Sequence, residues 1–180
     1  MSHLSRKKEQ TQRALLEAVH CCLQEKAFNH VSTVDITKAA QISRSNFYNY
    51  FRDKYDLIDF YQRQLSRDLE SVFANYDTDK RGTFIAIIRY IQQEDLLADL
   101  LSSHGTHEIH DHFINKIRLM LDHTLLPQIS KDIPDGLTRE YSSIYFAHAF
   151  FAIIQHWILK GKQETPEELA DLIMLVLPNL

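Results

Sequence analysis

Apolar residues along this chain recur at three- and four-residue spacings over long stretches, and no segment keeps the strict alternation of a half-buried strand. The pattern predicts an all-α protein. The first helix runs from about Ser5 to Lys26, with Thr11, Ala14, Leu15, Ala18, Val19, Cys22 and Leu23 on one face and charged residues on the other. After AFNHV, Ser32 followed three residues on by Asp35 reads as a capping box with a shortened carboxylate, opening a helix of barely two turns that ends near Ala40. QIS breaks it, and Ser43 suits the N-cap of a second short helix, RSNFYNY. Asp53 and Asp56 then start a longer helix with the stripe Leu57, Tyr61, Leu65, Leu69, Val72, Phe73 and Tyr76. The order of elements is long, short, short, long.

At DTDKRG the pattern stops, which marks a boundary: residues 1–56 and a connecting helix to about 76 on one side, residues 77–180 on the other. A second apolar system begins at Phe84, passes through YIQQEDLLADLL and breaks near Gly105. A further helix covers Ile109 to Leu125 and is ended by Pro127; a loop through Pro134 and Gly136 leads to a long helix from about Thr138 to Lys160, with Gly161 placed as its C-terminal cap. The last helix, Pro166 to Leu177, has the clearest start: Thr165 as N-cap, Pro166 at the first helical position and Glu168 completing a capping box.

Composition narrows the class. At 180 residues, with 44% hydrophobic and 24% charged residues, the chain can bury a real core without staples. No apolar run approaches the roughly eighteen residues of a bilayer span, and MSHLSRKKEQ lacks the apolar stretch of a signal peptide, so a cytoplasmic place without a membrane partner is expected. The two cysteines, Cys21 and Cys22, are neighbours on one helix and poorly placed to bridge each other; Cys22 is expected in the core and Cys21 nearer the flank. The net charge of -4 hides an asymmetry: residues 1–56 carry nine Lys/Arg against six Asp/Glu, while the rest of the chain is acidic. A basic end on an acidic body points to a polyanion at that end only.

Two helices this short cannot stand alone and must dock on longer neighbours. In the second, Phe47, Tyr50 and Phe51 share one face and are expected to pack inward on Ile36, Ala39 and Ile42. That leaves Arg44, Ser45, Asn46, Tyr48 and Asn49 outside. A guanidinium suits guanine edges, amides suit adenine edges and hydroxyls suit phosphate oxygens, so this face has the chemistry of a major-groove reader. Polar composition alone describes an ordinary solvated face equally well.

The stretch TVDITKAAQISRSNFYNYFRDKYDLI closely resembles the helix-turn-helix signature of TetR-type regulators, and the resemblance extends over about residues 10 to 60. It implies base or groove contacts from Arg44, Ser45, Asn46 and Asn49, and phosphate contacts from Thr33, Tyr48 and Lys54, on a double-stranded DNA operator. Thr33 and Lys54 also fall at helix starts, where free amides favour a phosphate. The chain departs from the family pattern at Gln41 and Ser45, where Gly is common. A non-Gly residue in a left-handed turn costs about 1 to 2 kcal/mol.

The segment YFAHAFFAIIQHWIL is apolar nearly all round and needs cover on two sides. Packing this helix and the last one against two-fold mates would make a homodimer with its reading helices about 34–36 Å apart, the spacing of a palindromic operator. HWILKGKQETPEELADLI resembles the dimerisation segment of one branch of the same family. The resemblance also implies a small-molecule pocket in a C-terminal regulatory and dimerisation domain. Phe84, Phe113, Tyr145, His148 and Trp157 are candidate walls, though aromatic residues at helical spacing also serve as plain core.

The run SHGTHEIHDH sets His104, His107, His110 and His112 beside Glu108 and Asp111, but their spacing suits one metal poorly. No metal, cofactor or enzyme activity is expected, since HExxH, a nucleophile elbow and a phosphate-binding glycine loop are missing from the sequence. The expected function is a ligand-responsive repressor taking a small hydrophobic effector. The alternative is a co-activator whose C-terminal domain takes a protein partner.

Overall fold

The structure, a computed structural model, describes residues 3–73, 79–124 and 136–176. Among these the elements in order are α1 (His3–Leu23), a 3-10 turn η1 (Phe28–His30), α2 (Thr33–Ala39), α3 (Arg44–Tyr48), α4 (Lys54–Phe73), α5 (Lys80–Gln93), α6 (Asp95–Leu101), α7 (His107–Thr124), α8 (Gly136–Leu159) and α9 (Pro166–Val176). Every regular element among the described residues is helical, with no strand, as the periodicity requires. The expected stop at Pro127, the loop through Pro134, the stripe residue Tyr76 and the helix ends at Leu125 and Leu177 lie outside the described residues.

The chain forms two compact units. The first holds the residues up to Leu65 together with Asp95–Thr106, and the second holds Ser66–Glu94 with His107 onward. This corrects the single boundary expected after residue 76. The apolar run from Phe84 to Gly105 is divided at Glu94, whose backbone leaves the helical region (φ -98°, ψ 88°), and its second half joins the N-terminal unit. Polar bonds explain why. Asp99 Oδ2 accepts from His20 Nδ1 at 2.6 Å and from Gln24 Nε2 at 2.9 Å, and Phe28 N–H donates to His104 O at 2.9 Å. On its apolar side α6 buries Leu96, Leu97, Leu100 and Leu101.

Within this unit α1 buries Leu15, Ala18, Val19, Cys22 and Leu23, with Cys21 left exposed. The helix ends three residues before the expected Lys26. Its last turn tightens into Gln24 N to Cys21 O and Glu25 N to Cys22 O bonds, and the Lys26 ammonium turns away to Asp35 Oδ2 at 2.8 Å.

In the C-terminal unit α5 lies on α9 and α7 on α8. The α5 and α9 pairing is polar at its rim: Arg81 grips Asp171 with two parallel bonds of 2.6 and 2.9 Å, and Arg89 pairs with Glu167. Beneath are Phe84, Ile87, Ile88 and Ile91 of α5 and Leu169, Ala170 and Ile173 of α9. Helix α5 starts at Lys80, earlier than the apolar pattern suggests, because Asp79 caps it by accepting from Gly82 N–H at 2.8 Å. A Cβ at Gly82 would fall 2.0 Å from the capping carboxylate.

Helix α8 ends as expected. Gly161 takes φ +81°, its N–H bonds Ile158 O and that of Lys162 reaches Trp157 O, which satisfies the last carbonyls. The capping box of α9 is complete: Thr165 N–H donates to Glu168 Oε2 and Glu168 N–H to Thr165 Oγ1. Over Glu140–Leu159 α8 is long and apolar enough to cross a membrane, by length and composition alone, which corrects the expectation that no stretch is. It carries Ser143, His148, Gln155 and His156 within that span, and it buries Phe150, Phe151, Ile154 and Trp157 against its own unit.

The place of α6 can be tested. Leu100→Ala should cost about 2 to 5 kcal/mol, and native-state hydrogen exchange should quicken at the amides of α1 far more than at those of α9. Faster exchange at α9 instead would return α6 to the C-terminal unit.

Candidate nucleic-acid interface

Helix α2 is set by its first turn. Ser32 Oγ accepts from Asp35 N–H at 3.2 Å, and Asp35 Oδ2 accepts in return from Ser32 N–H at 2.8 Å and Oγ–H at 2.7 Å. The bonds from Lys26, then from Ser32, hold the Asp35 carboxyl well below the usual carboxylate range. The turn after α2 is closed by Gln41 N to Lys38 O and Ile42 N to Thr37 O, with Gln41 at φ +55°. This is the left-handed position usually given to Gly, occupied here by glutamine. Ser43 then caps α3, accepting from Asn46 N–H at 3.1 Å.

Helix α3 has five residues, shorter than the RSNFYNY expected, because Asn49 already serves as its C-cap. Phe47 is fully buried, and its ring meets Phe51 at 5.9 Å, which in turn meets Phe60 at 5.4 Å. Of the remaining inward set, Tyr50 and Ile42 are half-buried. Ile36 is buried, whereas Ala39, expected beneath α3, is exposed on the last turn of α2. Arg44, Ser45, Tyr48 and Asn49 are exposed together, and Asn46 is half-buried beside them. Thr33 sits half-buried at the first position of α2.

Lys54, for which the resemblance implies a phosphate contact, is the first residue of α4. Its ammonium donates to the carbonyls of Phe28 (2.7 Å), Asn29 (3.1 Å) and Val31 (2.8 Å), and lies over the Phe28 and Tyr55 rings. The start of α4 is no open amide cluster either, since Asp53 Oδ1 accepts from both Tyr55 and Asp56 N–H at 2.9 Å.

Sequence reasoning gave no role to Lys38 of α2 or to Arg6, Lys7, Lys8 and Arg13 of α1, all exposed on the same unit. The run RKK was the signal for the last group.

The five candidate pocket residues all belong to the C-terminal unit. In the C-terminal unit Phe84 packs on Phe150 at 6.0 Å, Trp157 is buried with its Nε1–H on Glu164 O at 2.9 Å, and Phe113 is half-buried. Tyr145 and His148, also candidate walls, are exposed on α8, and His148 Nδ1 bonds Ile144 O of its own helix. In the histidine run, His107 approaches Asp111 at 3.6 Å and His110 stacks near Phe151 at 5.5 Å. Among the described residues no three His, Cys, Asp or Glu side chains converge as metal ligands.

Two capped short helices docked on longer ones, with a polar guanidinium and amide face turned to solvent, define a helix-turn-helix DNA-binding protein. Residues 15–59 match the model of the bacterial regulatory proteins of the tetR family, and residues 81–179 match its transcriptional regulator C-terminal region. The chain belongs to the TetR family of transcriptional regulators and, like its relatives, is not an enzyme.

The HTH-type regulator YxbF of Bacillus subtilis, of uncharacterised role, is 23% identical over 173 residues; these cover 91% of this chain but 43% of the relative, so the chain spans less than half its length. DhaS of Lactococcus lactis, an activator of the dhaKLM operon, is 26% identical over 159 residues, 84% of this chain and 81% of that one. A solved TetR regulator from Streptococcus agalactiae 2603V shares the fold at a TM-score of 0.66 with 20% identity, covering 96% of each chain.

Two outcomes follow for the turn. Gln41→Gly should stabilise the protein by about 0.5 to 1 kcal/mol in urea unfolding, the relief of the left-handed residue less the extra chain entropy of glycine. The lowered Asp35 pKa stabilises the folded state above the ordinary carboxylate pKa, and that contribution is lost as pH falls through the folded value. The melting temperature of Asp35→Asn should therefore trail the native protein at neutral pH and draw level with it in acid. A gap that persisted unchanged in acid would remove the carboxylate from the cap.

Proposed function

We propose that this chain is a homodimeric, cytoplasmic regulator that binds a palindromic operator through two copies of α3 and leaves it when a small hydrophobic effector binds the C-terminal unit, and so acts as a repressor. One observation carries the dimer. On α8, Tyr141, Tyr145 and Leu159 lie within about 40° of one another around the helix axis, exposed at 64%, 61% and 60%. On α9, Leu172, Leu175 and Val176 form a similar strip, with Leu175 at 77%. Large apolar side chains exposed in register on two successive helices are the mark of a surface that meets another copy.

Two-fold pairing along α8 and α9 turns one reading helix into two, and a symmetric reader calls for an inverted repeat with half-sites about one DNA turn apart. In this reading Arg44, Ser45, Asn46 and Asn49 face base edges, while Thr33 and Tyr48 contact phosphates. Effector release then follows by linkage, because a ligand that favours a conformation with the reading helices misplaced must weaken DNA binding equally.

A second reading is an activator that takes a protein partner on the acidic C-terminal unit. The similarity to DhaS favours it, as does the outward position of Tyr145 and His148, which an enclosed aromatic pocket would have required inside. In vitro transcription from a promoter carrying the selected site separates the two: added protein lowers transcript for a repressor and raises it for an activator.

Selection of bound fragments from random DNA at stated salt should return an inverted repeat. Arg44→Ala and Asn49→Ala should each cost about 1 to 3 kcal/mol on that site and relax the preference at one position, whereas Tyr48→Phe should weaken all duplexes alike. Equal losses on every sequence for all three would remove the base readers. In sedimentation, Tyr145→Glu should convert a two-chain species into single chains with weakened operator binding; a native protein already single at micromolar concentration would end the dimer proposal.

A further inference from the structure

The helix-turn-helix leaves and re-enters the core of the N-terminal unit at two places, the turn η1 before Ser32 and the first residue of α4. One side chain joins them. Taking α3 as the DNA-reading helix, we infer that Lys54 is a positioning residue that clasps the entry of the helix-turn-helix to its exit, and that it does not bind phosphate.

Four observations carry the inference. An ammonium has three N–H bonds, and those of Lys54 are matched by the three carbonyls of Phe28, Asn29 and Val31 at 2.7, 3.1 and 2.8 Å. The Phe28 and Tyr55 rings flank the charge at 4.7 and 5.2 Å and meet each other edge to face. Partial burial pulls the Lys54 pKa below the usual lysine value. A phosphate arriving here would meet the Asp53 carboxylate, which already holds the first amides of α4, and Asp56, which accepts from Arg52 N–H.

The clasp acts on the reading helix through short lever arms. Val31, whose carbonyl Lys54 holds, immediately precedes the Ser32 cap of α2. On the other side Lys54 follows closely on Phe51, whose buried ring packs against Phe47 of α3. Phe28 is held from a third direction by its N–H on His104 O, so η1 is fixed at both ends of its peptide. Release of the ammonium frees the turn that begins α2 and the strand of chain that leaves α3, and α3 loses its fixed angle while its exposed side chains remain unchanged. A positioning group of this kind governs discrimination between sequences; a phosphate contact governs affinity for all of them.

Two measurements test this. In the native protein, acylation of lysine amines with a water-soluble succinimidyl ester, read by mass spectrometry with exposed Lys38 as reference, should be slow at Lys54 both free and on the selected duplex. Rapid acylation of Lys54 in the free protein, with or without protection by DNA, overturns the inference, and this arm needs no variant to fold. Lys54→Gln and Lys54→Arg, titrated well below their melting temperatures over a range of salt, should both lower the ratio of operator to scrambled-duplex affinity about tenfold. The slope of log K against log salt should stay at the native value. A slope smaller by about 0.9 in Lys54→Gln and restored in Lys54→Arg would make Lys54 a phosphate ligand. An unchanged affinity ratio alongside a lower melting temperature would reduce it to a stability role and overturn the positioning. A native chain that binds no duplex would defeat the DNA reading itself, and this inference with it, whereas the other outcomes strike the inference alone.

Discussion

A helix of five residues has no stability of its own, because the cost of ordering its first turn exceeds what so few hydrogen bonds return. Helix α3 exists only because Phe47 is buried completely and Ser43 and Asn49 close its two ends. Everything around it serves that burial. Ile36 on α2 and Phe51 and Leu57 beyond α3 supply the apolar surroundings, and the Ser32 capping box holds α2 at the angle that presents them. With Phe47 committed inward, the polar side chains of Arg44, Ser45, Tyr48 and Asn49 are left on the outside.

The C-terminal unit inverts this logic. Its helices are longer, and α8 carries more apolar surface than one neighbour can cover. Part of the excess is absorbed internally by Phe150, Phe151, Ile154 and Trp157. The rest lies outside as the Tyr141, Tyr145 and Leu159 strip, continued on α9, where the Arg81 and Asp171 pair fixes α9 to α5 and so holds its outer face steady.

Helix α6 connects these themes within the chain. It arrives in sequence after the first helix of the C-terminal unit, yet it packs with α1 and binds it through Asp99. The N-terminal unit is thus completed by residues that begin about thirty positions beyond Leu65, where the rest of it ends. Insertion of this kind makes the stability of the N-terminal unit dependent on a segment that follows α5 in the sequence.

The sequence by itself determined every feature that depends on neighbours in the chain. Helical periodicity, the Ser32, Ser43 and Thr165 caps, the left-handed residue at Gln41, the Gly161 stop and the exposed face of α3 are local, and each was legible because a cap or a periodic face is written within about four residues. What only the tertiary structure decided are the choices made among side chains capable of two roles. A lysine at a helix start suits a phosphate or three carbonyls equally in sequence, and only the approach of η1 to α4 selects the carbonyls. An aromatic residue on α8 suits core, pocket or interface, and the placement of α5 and α7 decided that Trp157 goes in and Tyr145 stays out. The allegiance of α6 was equally hidden, because the partners of Asp99 lie more than seventy residues away in the chain, and no local pattern records a contact at that distance.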